Sequence, residues 1–247
     1  MGFKPIGNSN AWSDYLQFIK DDLGANTRLG DELDAVLREL YSLCILLQCP
    51  ILAHAGESNG AGPNFSERAD PGYWLPVFNM YPTLKVCLAH FGGFSYRSVA
   101  APASAPAPSP STPDASWEWA IGSYVGKYPG APVFADLAFF SEILTAAPAT
   151  RLTLANAFRR FAQTFDPNLD HIMFGTDWVM TGIEAGYVNY THSIVDFLTN
   201  DCGLGEAATA KILRGNATRL LGLGEGEAPR EKLRNFYKRN GLNDKIA

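Results

Sequence analysis

Four apolar runs, each leading to a polar side chain and separated by amphipathic sequence, limit this chain to few folds. Pro50–Ala53 ends on His54, Lys85–Ala89 on His90, Pro132–Ala135 on Asp136, and Ile172–Thr176 on Asp177. Runs this short read as strands and the stretches between them are spaced as helices, so the order is β then α, repeated. That alternation predicts an α/β fold with parallel strands and right-handed crossovers. In a parallel α/β barrel the chemistry sits at the carboxyl ends of the strands, which is where His54, His90 and Asp177 fall. Only four strands are clear, whereas a closed barrel of that type has eight. Four parallel strands leave two edges that a soluble protein has to cover.

The helices are legible from spacing and caps. Leu33, Val36, Leu37, Leu40, Leu43, Cys44 and Leu47 give one long helix over 31–47. Asp70 followed by Pro71 reads as the cap and first position of a helix over 72–81. Further helices are expected over 117–128, 149–165, 190–200, 205–221 and 229–240, with strands over 131–138 and 172–176. From Ser98 to Ser116 the chain is almost entirely Ala, Pro and Ser, a composition that cannot bury enough apolar surface to offset ordering. Segment 98–116 is therefore expected to be a flexible insertion. A lid is its functional alternative, because it leaves the strand end that carries His90. Residues 1–247 otherwise read as one barrel-type domain.

Charge and cysteines narrow the setting. A net charge of −5 offers no basic face, so no nucleic-acid partner is expected. The start of the chain lacks the apolar core of a signal peptide, and no apolar run approaches the ~18 residues that span a bilayer. Cys44, Cys49, Cys87 and Cys202 form no C-x-x-C pair and sit mostly in apolar runs, so they read as buried free thiols suited to a reducing compartment. A cytoplasmic protein without a membrane partner is expected.

Asp177 is the strongest candidate for chemistry. A carboxylate after Ile-Met-Phe-Gly-Thr gains nothing for the strand, and burying it unpaired costs several kcal/mol. Its bland alternative is to cap the following helix. His54 is followed by Ala-Gly-Glu-Ser-Asn-Gly, a turn that leaves the imidazole at the mouth. His90 precedes Gly92-Gly93, which lets backbone approach a bound group. Glu57 and Asp136 stand in comparable positions with weaker surroundings, and Trp178 adjoins Asp177; these three are second-tier candidates. His171 precedes its strand, on the opposite, stability face, and His192 falls in a helix. No G-x-S-x-G elbow, Walker-type loop or G-x-G-x-x-G after a strand supports another chemistry.

Taken in order, Met1–Pro5, Ala53–His54, Asp70–Phe78, Leu88–Gly93, Phe174–Trp178 and Ile212–Ala217 resemble the amidohydrolase superfamily. The likeness is to its amidohydrolase-related branch, which includes aminocarboxymuconate-semialdehyde decarboxylase. The resemblance implies a (β/α)8 TIM-barrel fold. It implies that His54 is the metal ligand ending strand 5, and that His90 is the strand-6 histidine that acts on substrate or binds a second metal. Asp177 is then the strand-8 aspartate that binds the metal and handles the proton of its water. The implied cofactor is a divalent metal, zinc before others, which lowers the pKa of bound water to roughly 7 and polarises a substrate carbonyl.

One departure qualifies this. The family's strand-1 H-x-H is absent, since the four histidines stand at 54, 90, 171 and 192. Met1–Phe3 resembles the stretch just after strand 4, so the chain reads as roughly strands 5–8 with their helices, the C-terminal half of a barrel. Alone it is expected to be inactive, because His54 and Asp177 supply two ligands where a catalytic zinc takes three or more. The function expected is metal-dependent hydrolysis of a small carboxylate-bearing or cyclic substrate. The alternatives are a decarboxylase of the same family and a non-catalytic barrel fragment that binds a ligand or a partner chain. Besides its small-molecule substrate, the expected partner is a second copy in a homo-oligomer or a missing N-terminal half.

Overall fold

A computed structural model describes residues 29–56, 69–93 and 117–242. Glu57 and the 98–116 insertion lie outside the described residues. Helix α1 (Leu29–Leu47) leads into β1 (Ile51–His54). The Asp70 carboxylate accepts the Gly72 N–H at 2.8 Å and opens a 3-10 turn over Pro71–Trp74, which runs on into α2 (Leu75–Met80). Sequence spacing predicted a single helix here. The first turn tightens because Pro76 has no N–H for the Gly72 carbonyl, which takes that of Leu75 instead.

Strand β2 (Val86–Ala89) follows, then α3 (Trp117–Lys127), β3 (Val133–Asp136), the short α4 (Glu142–Thr145), α5 (Pro148–Phe165) and β4 (Ile172–Met173). Beyond the sheet come α6 (Trp178–Thr181) and α7 (Tyr190–Asp196), the latter continued by a π turn over Phe197–Asp201. Then α8 (Glu206–Ala210) passes through a second π turn (Lys211–Gly215) into α9 (Asn216–Leu221), and α10 (Ala228–Arg239) ends the described chain.

The sheet is all parallel in the order β1-β2-β3-β4. Alternate residues divide its faces. Ala53, Val86, Leu88, Val133, Ala135 and Ile172 join the main core with Tyr41 of α1, Phe78 of α2, Ile121 of α3 and Phe158 of α5. Each fully buried Leu or Phe in that layer contributes about 1.5–3 kcal/mol. On the other face Cys87, Phe134 and Met173 form a smaller cluster with Leu220 and Ala217 of α9. Sequential strand order with every crossover helix on one face is the winding of a barrel arc, since a doubly wound sheet places helices on both faces.

Several boundaries differ from the sequence reading: the strand expected over 131–138 spans only Val133–Asp136, and the helix expected over 190–200 is α helical only to Asp196. Strand β4 stops at Met173 because the Phe174 N–H turns away to the Ile212 carbonyl at 2.9 Å. That carbonyl belongs to the π turn, which divides what periodicity alone shows as one helix over 205–221. The cysteines also depart in part from expectation. Cys87 and Cys202 are buried, but Cys44 is half-buried at the margin of the core and Cys49, past the end of α1, is exposed.

Candidate functional site

Strands β1 and β2 deliver two imidazoles to the same end of the sheet. His54 closes β1 opposite Ala89, and His90 follows one residue later. The rings meet edge to face with centroids 4.7 Å apart and planes at 64°. Gly56 permits this approach, since a Cβ there would stand 2.9 Å from the His90 Cβ.

His90 starts a left-handed turn with φ 67°, followed by Phe91 at 47°, and the Gly93 N–H closes it on the His90 carbonyl at 2.8 Å. Such backbone costs each non-glycine residue on the order of 1–2 kcal/mol. Three contacts hold it. Asp136 Oδ1 accepts the His90 N–H at 2.9 Å, His90 Nδ1 meets the Ala138 carbonyl at 3.0 Å, and Phe91 is buried edge to face on Phe161. A carbonyl only accepts, so in the neutral ring Nδ1 carries the proton and Nε2 is left as the acceptor. Gly92 does not serve a bound group: its missing Cβ faces α3, 2.7 Å from the Glu118 backbone nitrogen.

Asp136, at the end of β3, is buried and engaged at both oxygens. Oδ1 accepts N–H bonds from His90 and Ala138, and Oδ2 accepts the Cys87 thiol at 3.5 Å. The carboxylate therefore locks the end of β3 to that of β2. Burial first, and then the Asp136 charge, push the Cys87 thiol well above its ordinary range.

Asp177 lies past β4 in left-handed backbone at φ 43°. It stands at the N-cap of α6, yet its side chain accepts no N–H from that helix, so the capping alternative fails. The backbone does that work: the Asp177 carbonyl accepts the Thr181 N–H at 2.8 Å, and the Thr181 hydroxyl donates to the Thr176 carbonyl. The carboxylate stays within electrostatic reach of His54. Partial burial and then the His90 ring lower the His54 pKa, while the Gly56 backbone and the Asp177 charge act the other way. His54 is accordingly neutral at neutral pH.

Left-handed non-glycine backbone gathers at this end of the sheet. Of the six such residues described, His90, Phe91, Phe139 and Asp177 follow strand ends, leaving Gln48 and Leu169. Strain of this kind is retained where surrounding structure over-determines it, often at functional sites.

Trp178 is 78% exposed, and Val179, Ile183 and Val188 after it in the chain are exposed as well. His171 is buried with its ring nitrogens against the Val133 and Pro129 carbonyls, away from this end, and His192 is exposed on α7. Sequence reasoning missed Tyr190. Its hydroxyl donates to the Leu137 carbonyl at 2.7 Å and accepts the Phe140 N–H at 3.0 Å, holding the loop that presents the Ala138 carbonyl to His90. Burial pushes this phenol far above its ordinary range. In sequence it is one aromatic among the core residues of α7.

By chemistry the donors suit a divalent metal: imidazole nitrogen from His54, carboxylate oxygen from Asp177, and a neighbouring histidine whose other nitrogen is fixed by a backbone carbonyl. By count they fall short, because among the described residues no three His, Cys, Asp or Glu side chains are grouped to hold one ion.

The family described as Amidohydrolase matches residues 17–223, well over half of the chain. The chain belongs to the amidohydrolase family. Amidohydrolase domains are typically TIM barrels, and this chain is α/β with a four-stranded parallel sheet. Amidohydrolases are generally enzymes and usually bind divalent metals. Searches of curated proteins and of solved structures return no match. No helix among the described residues is long and apolar enough to cross a membrane.

Proposed function

We propose that this amidohydrolase is a metal-dependent hydrolase of the amidohydrolase-related branch, acting on a small carboxylate-bearing or cyclic substrate, and that its four strands correspond to strands 5–8 of the barrel. The observation that carries this reading is the close approach of two imidazoles at adjacent strand ends, with a carboxylate in reach that its own helix does not use. His54 and Asp177 would hold the metal, zinc by the mixture of nitrogen and oxygen donors, with further donors from outside the described residues. A zinc bound there supplies a water of lowered pKa and a polarised carbonyl.

The chain's own groups take defined parts. His54, neutral at working pH, offers a nitrogen lone pair without first losing a proton. His90 Nε2 accepts a proton or hydrogen bond from substrate, because Nδ1 is committed to Ala138. Asp177 handles the proton of the attacking water. Trp178, Val179, Ile183 and Val188 offer the apolar wall a ring substrate needs. A small-molecule substrate is the expected ligand.

Calorimetric titration with zinc tests the assignment, run on the whole chain and on His54→Asn and Asp177→Asn. Weak, saturable binding that each substitution reduces at least tenfold is expected, with little or no hydrolysis of lactones and cyclic amides by this chain alone. Binding that neither substitution changes would overturn it.

A further inference from the structure

Helix α1 carries two apolar stripes, and the fold uses one. Tyr41 is buried, and Leu37, Cys44 and Ile45 pack on the core. Val36, Leu40, Leu43 and Leu47 are 61%, 44%, 49% and 51% exposed. Their spacing of four, three and four residues is that of a heptad seam, the pattern that packs one helix along another. A strand or a small ligand has no use for such spacing; a helix with the same seam does.

We propose that this face is the interface of a two-fold dimer, in which α1 packs antiparallel on α1 of a second copy. A two-fold contact must be self-complementary, and this seam is: Val36 meets Leu47 of the partner and Leu40 meets Leu43 of the partner, in both directions. Charge selects the antiparallel arrangement. Asp34, Arg38 and Glu39 precede Leu40, and no charged residue occurs from Leu40 to Leu47. Antiparallel packing lays the charged half of each helix on the uncharged half of the other, whereas parallel packing sets Glu39 against its own copy. Leu46 and Leu52, 78% and 68% exposed, extend the apolar surface toward β1. The inference stands apart from the hydrolase reading, since none of these residues belongs to the site.

Sedimentation equilibrium on the 247-residue chain tests it, alongside Leu40→Glu, Leu43→Arg and the double variant. A wild-type dimer is expected, with each single change weakening it at least tenfold while circular dichroism stays unchanged. The double variant should recover much of the dimer, because opposite charges then meet across the two-fold. A wild-type monomer at high micromolar concentration overturns the proposal without recourse to any variant. It would mean that the seam is covered by residues 1–28 of the same chain or by another protein. A dimer that both single variants leave intact, or that the double variant weakens further, overturns it equally.

Discussion

The two edges of the sheet end differently. At the outer edge of β4 the Phe174 N–H donates to the Ile212 carbonyl, and the Asn216 amide donates to the carbonyls of Ile172 and, just before the strand, Leu169 at 2.7 and 2.8 Å. Leu220 and Ala217 of the same helix close over Phe134 and Met173. At β1, Ile51 and Ala55 donate inward to β2, so the backbone groups of Leu52 and His54 face the other way, and among the described residues no strand meets them. An edge strand can thus be closed by one buried amide and a π turn. Among the described residues β1 has no such device, and its Leu52 side chain is exposed.

The largest effect is expected at the closed edge. Asn216 is fully buried, and Asn216→Ala strips two buried carbonyls of their donor, at about 1–3 kcal/mol each. Urea unfolding should show a loss of about 3 kcal/mol; a loss under ~0.5 kcal/mol would mean that water replaces the amide and the edge is not closed. Tyr190→Phe acts next to that edge and leaves the Leu137 carbonyl and Phe140 N–H without their partner. It should cost about 1–2 kcal/mol and loosen His90, seen as broadened and displaced His90 ring signals by NMR.

At the open edge the effects are smaller. The folded His54 binds protons less readily than the unfolded chain. As pH falls through the unfolded value of roughly 6.5, the unfolded state therefore takes up protons first and stability drops, levelling once pH passes below the folded value. Urea midpoints between pH 7.5 and 5 should show this fall in the wild type and lose part of it in His54→Asn; identical slopes would place His54 in ordinary solvent. Leu52→Ser should change the stability of the monomer by less than ~0.5 kcal/mol, and a larger loss would show that β1 is covered.

The closed and open edges were not equally legible in the sequence. Strands ending at His54, His90 and Asp136 announce themselves because an apolar run stops on a polar residue, and Asp70-Pro71 marks its helix start by cap chemistry. The identity of the edge device was hidden. Asn216 sits in a helical pattern where a buried amide and a surface amide read alike, and the π turn at Lys211–Gly215 breaks no periodicity strongly enough to be seen. Asp136 shows the same limit. Its position at a strand end invites a role in chemistry, while its two oxygens are committed to His90, Ala138 and Cys87 through contacts up to 49 residues apart. Local spacing carries strand ends well; pairings across such distances depend on the fold.

The central claim is that chemistry belongs to the carboxyl end of the sheet, at His54, His90 and Asp177. With four histidines in the chain, imidazole NMR of the whole, isotope-labelled protein during zinc addition reads each one separately. The account predicts that the ring signals of His54 and His90 move together while those of His171 and His192 stay in place. Movement of His171 or His192 with His54 and His90 unperturbed would contradict it.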